Sequence, residues 1–311
     1  MALFTSETLE KLTGIPVDPA RQDAIFANLP KLHSTPLSPA RAAELIAEIE
    51  ATIITRRHRQ VGGQEGQEVW ERGWREVAER LRDAPSIGIE ALKPQYFHLG
   101  VPFRLLGEYV HPDTDYYEYY AGLAVRRHLV SQFLDGCTNL LELGCGTGIN
   151  LLLAADLFPA ATLVGSDWTR AVGEILALLS RGGSRSITPV LYNMLDGSGG
   201  DDLPITPTTD VLTVHALEQL GAKARAIIEL LREKRPRRVL HIEPILEFYA
   251  ADAPFDDIAR RYHLARGYLE GLAPTLHRLA AAGEIELLGE CRVRLGNTFH
   301  EAYSYIAWRP V

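Results

Sequence analysis

From residue 139 onward the chain alternates short apolar runs with stretches of helical spacing. NLLELG (139–144), ATLVGSD (161–167), SITPVLYNML (186–195), DVLTVHA (210–216) and RRVLHIEP (237–244) are the apolar runs. Between them INLLLAADLFP (149–159), TRAVGEILALLSR (169–181) and KARAIIELLREK (223–234) repeat apolar residues at the helical period. One further helix is expected over 260–283, followed by two strand-like runs, IELLGECRVRL and AYSYIAWRP. Seven strands interleaved with helices predict a doubly wound α/β fold: a mostly parallel sheet with helices on both faces. The passage 197–210, GSGGDDLPITPTTD, reads as a surface loop.

The first part of the chain has a different texture. Residues 39–60 show helical spacing, with Ser38 as N-cap and Pro39 at the first helical position. VGGQEGQ interrupts, and a second helix is expected over 67–83, with Val69, Trp70, Trp74, Val77 and Leu81 on one stripe. The Trp pair is expected to serve packing. A turn-rich passage follows, then a helix over 115–134. The expected organisation is an N-terminal helical cap or lid, 1–114, on an α/β domain, 115–311.

Composition narrows the function. The formal net charge is −8, which argues against a nucleic-acid partner, since such a protein needs a basic face for phosphates. Cys137, Cys145 and Cys291 form no CxxC pair, so neither a disulfide framework nor a metal site is expected, and free thiols suit a cytoplasmic protein. MALFTSETLEKL lacks a signal-peptide pattern, and the apolar runs are far shorter than the ~20 residues that cross a bilayer, so no membrane is expected.

The chemistry gathers at ELGCGTG (142–148), between an apolar run and a helix. Glycine there lets the backbone approach a ligand closely. A P-loop would need a lysine that is absent, and the dinucleotide pattern GxGxxG fails because position six is Ile149 and the third glycine comes early, at Gly148.

On Glu142, Gly144, Gly146 and Gly148 the sequence resembles the class I S-adenosylmethionine-dependent methyltransferases of the small-molecule type, over about residues 115–311. The resemblance implies a Rossmann-like domain with S-adenosyl-L-methionine as cofactor, the loop including Cys145 lying under its methionine and ribose. It implies that an acid ends the second strand and holds the ribose hydroxyls; Asp167, 19 residues after Gly148, is the match, and Trp168 next to it would pack on adenine. Asn193 and Met194 after the third strand would meet the adenine, with Asp196 as the alternative to Asn193. His215 falls where the family turns a backbone carbonyl to the methionine amine. A tyrosine of the cap would touch the cofactor carboxylate; Tyr116, Tyr117, Tyr119 and Tyr120 are candidates, with Tyr116 first.

The ends of strands four and five carry His215, Glu218, His241, Glu243 and Glu247, and His300 and Glu301 precede the last strand. Parallel strands deliver these ends to one edge of the sheet. The absence of a DPPY or NPPY motif lowers the case for nucleobase substrates. Glu218 and Glu243 together could grip a cationic nitrogen, which points to N-methylation of a small, cationic, amino-acid-like metabolite such as arginine, of the kind met in secondary metabolism. An O-methyltransferase with His215 as base is the alternative, and a non-catalytic binding module is the alternative of another class. A homodimer through the aromatic N-terminal region is a further expectation.

Overall fold

The computed structural model describes residues 1–55, 64–84, 87–93, 100–181 and 185–311, without the side chains of 54, 55, 64 and 65. The N-terminal part runs β1 (Ala2–Leu3), α1 (Ser6–Thr13), α2 (Gln22–Ile25), β2 (His33–Pro36), α3 (Pro39–Thr55), α4 (Gln64–Arg82), β3 (Phe103–Leu105) and β4 (Glu108–Pro112). Then follow α5 (Tyr117–Phe133), β5 (Asn139–Leu143), α6 (Ile149–Leu157), β6 (Thr162–Asp167), α7 (Arg170–Ser180), β7 (Ile187–Leu191), β8 (Thr209–Val214), α8 (Ala224–Lys234) and β9 (Arg238–Ile242). The chain closes with α9 (Pro254–Arg266), α10 (Leu272–Ala281), β10 (Ile285–Cys291), β11 (Leu295–Gly296) and β12 (Tyr305–Pro310).

The seven expected strands form one sheet in the order β10-β12-β9-β8-β5-β6-β7. β5 pairs in parallel with β6 and β8, β6 with β7, and β8 with β9. β12 is antiparallel to β9 and to β10. The strands are apolar on both faces because both faces are covered. Leu140, Leu212 and Leu240 point into one core, with α5, α6 and α7. Their chain neighbours Leu141, Val211 and Val239 point into another, with α8 and α10. From β5 the chain winds outward through β6 and β7, then returns to place β8 on the other side of β5. The crevice between the carboxyl ends of β5 and β8 is therefore the topological switch point, where folds of this kind bind ligands.

Three local expectations change. The helix expected over 260–283 is two helices, because Gly267 (φ 63°) and Gly271 (φ 80°) adopt left-handed backbone that ends α9 and opens α10. The part before residue 115 holds strands as well as helices: β1, β2, β4 and β3 form a small antiparallel sheet completed by β11 from the C-terminal tail. These strands are two to five residues long, too short for an alternating pattern to register. The interruption expected at 61–67 is shorter, because 64–67 already belong to α4, while 61–63 and the end of the first expected helix, 56–60, lie outside the described residues.

The N-terminal part does not keep a core of its own. Phe4, Leu9, Leu12 and Ile25 join the core under α5, which is why α5 is buried almost all round. A buried charge cluster adds a second tie. Arg104 of β3 bonds Tyr109 Oη (3.2 Å) and the Phe255 carbonyl (2.8 Å). Beside it Arg292 pairs with Asp256 (2.5 Å) and Glu301 (2.6 Å).

Candidate active site

The loop after β5 is pinned before any ligand arrives. The N–H groups of Gly144 and Cys145 both donate to the Ser166 carbonyl of β6 (2.8 and 2.9 Å), and Gly146 N–H donates to Asp167 Oδ2 (3.3 Å). The alternate glycines have a plain cause: Gly144, Gly146 and Gly148 all have positive φ, of 71°, 50° and 73°. All three also need empty space. A Cβ on Gly144 would lie 2.6 Å from that of Ala216 in the loop after β8, and one on Gly146 would lie 3.0 Å from the Trp74 indole. Gly148 opens α6 beneath Leu176 and Leu179, and Cys145 is buried, its thiol beside Gly165. Neither lines the cleft.

Three strand ends form the rest of the wall. Asp167 ends β6; its Oδ1 accepts from Thr169 N–H (3.0 Å) and the Thr169 hydroxyl (2.8 Å). Burial raises its pKa and those bonds oppose the rise. Trp168 stands beside it, with its carbonyl held by Gln67 (2.8 Å). After β7, Tyr192, Asn193, Met194 and Leu195 line the cleft. Asn193 Oδ1 accepts from Leu195 N–H (2.9 Å) and its Nδ2 donates to Asp196 (3.0 Å), whose other oxygen accepts from Ser198; of the two, Asn193 lines the cavity. After β8 come His215, Ala216, Gln219 and Leu220.

The roof is α4. Trp70 and Trp74, stacked at 5.4 Å, face the glycine loop. Their part in the cleft was hidden in the sequence, because a Trp pair on an apolar stripe reads as core. With Trp74 over Gly146 the enclosed cavity is about 90 Å³, below the roughly 300–1,000 Å³ of ligand sites in general.

The candidate acid–base residues separate. His215 has left-handed backbone (φ 53°), costly for a residue other than glycine, and its Nε2 is buried without a partner. Burial, with Arg126 nearby, lowers its pKa to about 3, so the ring is neutral. Glu218 accepts from Gln219, and burial, with Glu243 nearby and Gln219 and Arg266 opposing, raises it to about 8. Glu243 is committed elsewhere. Its carboxylate accepts the N–H groups of Ala216 (3.1 Å), Leu217 (3.1 Å) and Glu218 (3.2 Å), bracing the turn after β8. The expected grip of two carboxylates on one substrate nitrogen thus gives way to one carboxyl on the turn and one beneath it. The physical reason is that three N–H groups at the start of a turn need an acceptor.

The other named residues are tied away from the cleft. His241 is a core residue, linked to Thr213 (2.9 Å) and Trp308 (3.1 Å). Glu142 accepts from Asn150 (2.6 Å), and its Oε2 is buried without a partner. The cap tyrosines do not line the cleft: Tyr116 lies under Lys93 Nζ (3.7 Å), Tyr117 is in the core, Tyr119 bonds the Ile89 carbonyl (2.6 Å) and Tyr120 bonds Glu90 (2.8 Å). Glu301 belongs to the Arg292 pair, whereas His300 is buried beside His263, with ring centroids 5.8 Å apart. Among the described residues no cluster of His, Cys, Asp and Glu could hold a metal ion, and no helix is long and apolar enough to cross a membrane.

The residues present suit a nucleoside bearing an amino-acid tail. Gly144 and Gly146 leave backbone open to close approach, Asp167 offers a carboxylate at the floor, and Trp168, Tyr192 and Met194 give an apolar slot. No protein-family model and no curated protein matches the chain. Among solved structures, the chain is similar to a SAM-dependent methyltransferase from Aquifex aeolicus, at 12% identity over 60% of this chain and 89% of that one, with a TM-score of 0.40. The [4+2]-cyclase SpnF is similar at 18% identity, over 60% of this chain and 81% of that one, with a TM-score of 0.45. The mitomycin 7-O-methyltransferase MmcR is similar at 13% identity, over 95% of this chain and 76% of that one, also with a TM-score of 0.45.

Proposed function

We propose that this chain is an S-adenosylmethionine-dependent methyltransferase that transfers the methyl group to an oxygen of a small molecule. The observation that carries the cofactor reading is the glycine loop, which edges the switch-point crevice and bonds Asp167 at the end of the neighbouring β6, Gly146 N–H to Asp167 Oδ2. When bound, the cofactor supplies a methyl group on a sulfonium, so no leaving group needs activation. The chain's task is to hold, align and dehydrate. Gly144 and Gly146 let the tail lie against backbone, Asp167 accepts hydrogen bonds from the ribose, and Asn193 and Met194 border the base. Trp70 and Trp74 of the N-terminal cap exclude water from above.

His215 carries the choice of acceptor. A neutral imidazole has one acceptor nitrogen, and Nε2 lacks a partner at the cleft wall. It can accept a hydrogen bond from an incoming hydroxyl and hold the oxygen towards the methyl group; with burial keeping its pKa near 3 it positions the acceptor, and the proton leaves to water after transfer. A second reading, methylation of a cationic amine or guanidine such as arginine, is favoured by Glu218, a buried carboxyl on the same turn. It is weakened by the engagement of Glu243 with three backbone N–H groups.

Calorimetry with S-adenosylhomocysteine tests the cofactor; absence of binding at millimolar ligand would sink the enzyme reading. Transfer of labelled methyl to a panel of hydroxyl and amine acceptors tests the rest. His215→Gln should lower transfer to oxygen at least a hundredfold and leave cofactor affinity within about threefold. Labelling of amines alone would hand the acceptor to the Glu218 reading.

A further inference from the structure

Asn193 is where the resemblance puts the adenine contact, yet its side chain is already committed. Its Oδ1 accepts from Leu195 N–H (2.9 Å) and its Nδ2 donates to Asp196 (3.0 Å), which folds the loop after β7 on itself. The exocyclic amine of adenine is a hydrogen-bond donor, and a site that recognises it needs an acceptor in place. Three side chains along the cleft carry a carbonyl or carboxylate oxygen: Asp167, Asn193 and Gln219. Asp167 takes Gly146 N–H on one oxygen and Thr169 on the other. Gln219 differs from both. It is half-buried; its Nε2 donates to Glu218, while its Oε1 is buried and has no donor in the protein. Glu218 keeps an accepting oxygen whether or not it is protonated, so the nitrogen end of the amide stays with it and the oxygen end is left over. Buried polar atoms of native proteins are nearly always satisfied by protein, water or ligand.

Local structure puts Gln219 beside the apolar slot. Leu217–Lys223 form a 3-10 turn, in which residues three apart lie one above the other. Gln219 N–H donates to the Ala216 carbonyl (3.3 Å), so Gln219 stands one turn beyond Ala216. Ala216 and Met194 close on the glycine loop together: a Cβ on Gly144 would lie 2.6 Å from the Ala216 Cβ and 3.3 Å from Met194 Cε. The loop after β7 and the turn after β8 thus meet there, with Met194 and Leu195 on one bank of the cavity and Gln219 and Leu220 on the other.

Resting on the cofactor reading above, we infer that Gln219 is the residue that selects adenine: its Oε1 accepts from the exocyclic amine, and Asn193 shapes the loop without reading the base. Oε1 is covered while Trp70 and Trp74 are down, and the widening that a nucleoside requires exposes it. A base with a carbonyl in place of the amine would set two acceptors face to face and leave Oε1 unpaired, which is the penalty that gives discrimination.

The test is calorimetry of the full chain with S-adenosylhomocysteine and with S-inosylhomocysteine, in which a carbonyl replaces the amine. The parent should bind the adenosyl compound at least tenfold more tightly. Gln219→Leu should weaken the adenosyl compound at least tenfold and leave the inosyl compound level or tighter, so that the preference disappears. Retained binding of the inosyl compound also reports that the variant is folded. Gln219→Met, which keeps the length of the side chain, is measured beside it and should behave the same way. Asn193→Ala should keep the preference even where both affinities fall. A Gln219 variant that keeps the preference, or that loses both compounds equally, overturns the inference, as does an Asn193→Ala variant in which the preference vanishes. If the parent binds the two compounds alike, the cofactor reading stands and only this inference fails. If it binds neither, both fail.

Discussion

At Asp167 one carboxylate serves the loop and the cleft together, and that double duty sets what its loss does. Asp167→Ala removes the acceptor for Gly146 N–H and for Thr169 as well as any ribose contact. A charge-assisted bond is worth about 1.5–3 kcal/mol, so S-adenosylhomocysteine affinity should fall at least tenfold in calorimetry, and unchanged affinity would put the ribose acid elsewhere. Glu218 and Glu243 make the opposite case. From sequence they look like equals, two acids following two strand ends. Only the fold reveals that Glu243 is consumed by the N–H groups of residues 216–218. Burial raises the Glu243 pKa to about 7 against those bonds, yet both of its oxygens accept, and an amide offers only one; Glu243→Gln should therefore lower stability by about 1–3 kcal/mol, the cost of a buried donor left unsatisfied. Glu218→Gln should leave the thermal midpoint nearly unmoved. Equal midpoints for the two variants would contradict this division.

At the scale of elements, what could be read from sequence was the repeat of strand and helix, because buried parallel strands are runs of apolar residues that need no partner to be recognised. ELGCGTG was legible for a related reason: three left-handed positions in five residues leave few residue types other than glycine. The helix α4 was legible as a helix and illegible as a roof. Amphipathic spacing says that Trp70 and Trp74 face something, and does not say what. The later turns of α4 are anchored by Ala78 and Leu81, buried in the core with Val77 against it, whereas its first turns are held by polar contacts. Glu71 accepts from Arg170 and Ala171 N–H at the start of α7 (2.8 and 3.3 Å), Gln67 holds the Trp168 carbonyl, and Arg82 pairs with Glu174 at the surface. Exposed ion pairs contribute little, so the first turns of α4, which carry no fully buried apolar anchor, are the part of the wall most easily displaced, and a cavity of about 90 Å³ must widen for a nucleoside. Amide exchange over 64–82 should be faster than over α6 in the free protein and should slow when S-adenosylhomocysteine binds. Trp74→Ala should speed its dissociation at least tenfold. Exchange over α4 that ignores the ligand would mean that the roof is fixed.

For the whole molecule, stability is a balance between two populations of buried titratable groups with opposite pH trends. Glu142 and Glu218 are each raised by burial from 4.5 to about 8, and Glu243 to about 7. His215 and His241 are lowered by burial from 6.5 to about 3, and His263 to about 4. Stability changes with pH according to which state binds more protons. For the glutamates the folded state binds more between 4.5 and about 8, so they favour the fold at low pH and that contribution is lost as pH climbs through about 8. For the histidines the unfolded state binds more between about 3 and 6.5, so their effect is to erode stability as pH falls below 6.5. Between 4.5 and 6.5 the two trends oppose each other. Above 6.5 the histidines are neutral in both states, and the glutamates act alone. The buried pairs of Arg292 with Asp256 and Glu301 join two acids to a guanidinium that does not titrate in this range. The thermal midpoint should therefore fall between pH 6.5 and 8.5. Glu142 is the group to alter, because its Oε2 has no partner and it lies behind the cleft. In Glu142→Gln the fall should be visibly smaller, and at pH 8.5 the variant should melt above the parent, because an amide cannot be forced to ionise in the core. A midpoint that is level from pH 6.5 to 8.5 in the parent would mean that these carboxyls are already ionised in the fold, and that polar partners near them outweigh burial.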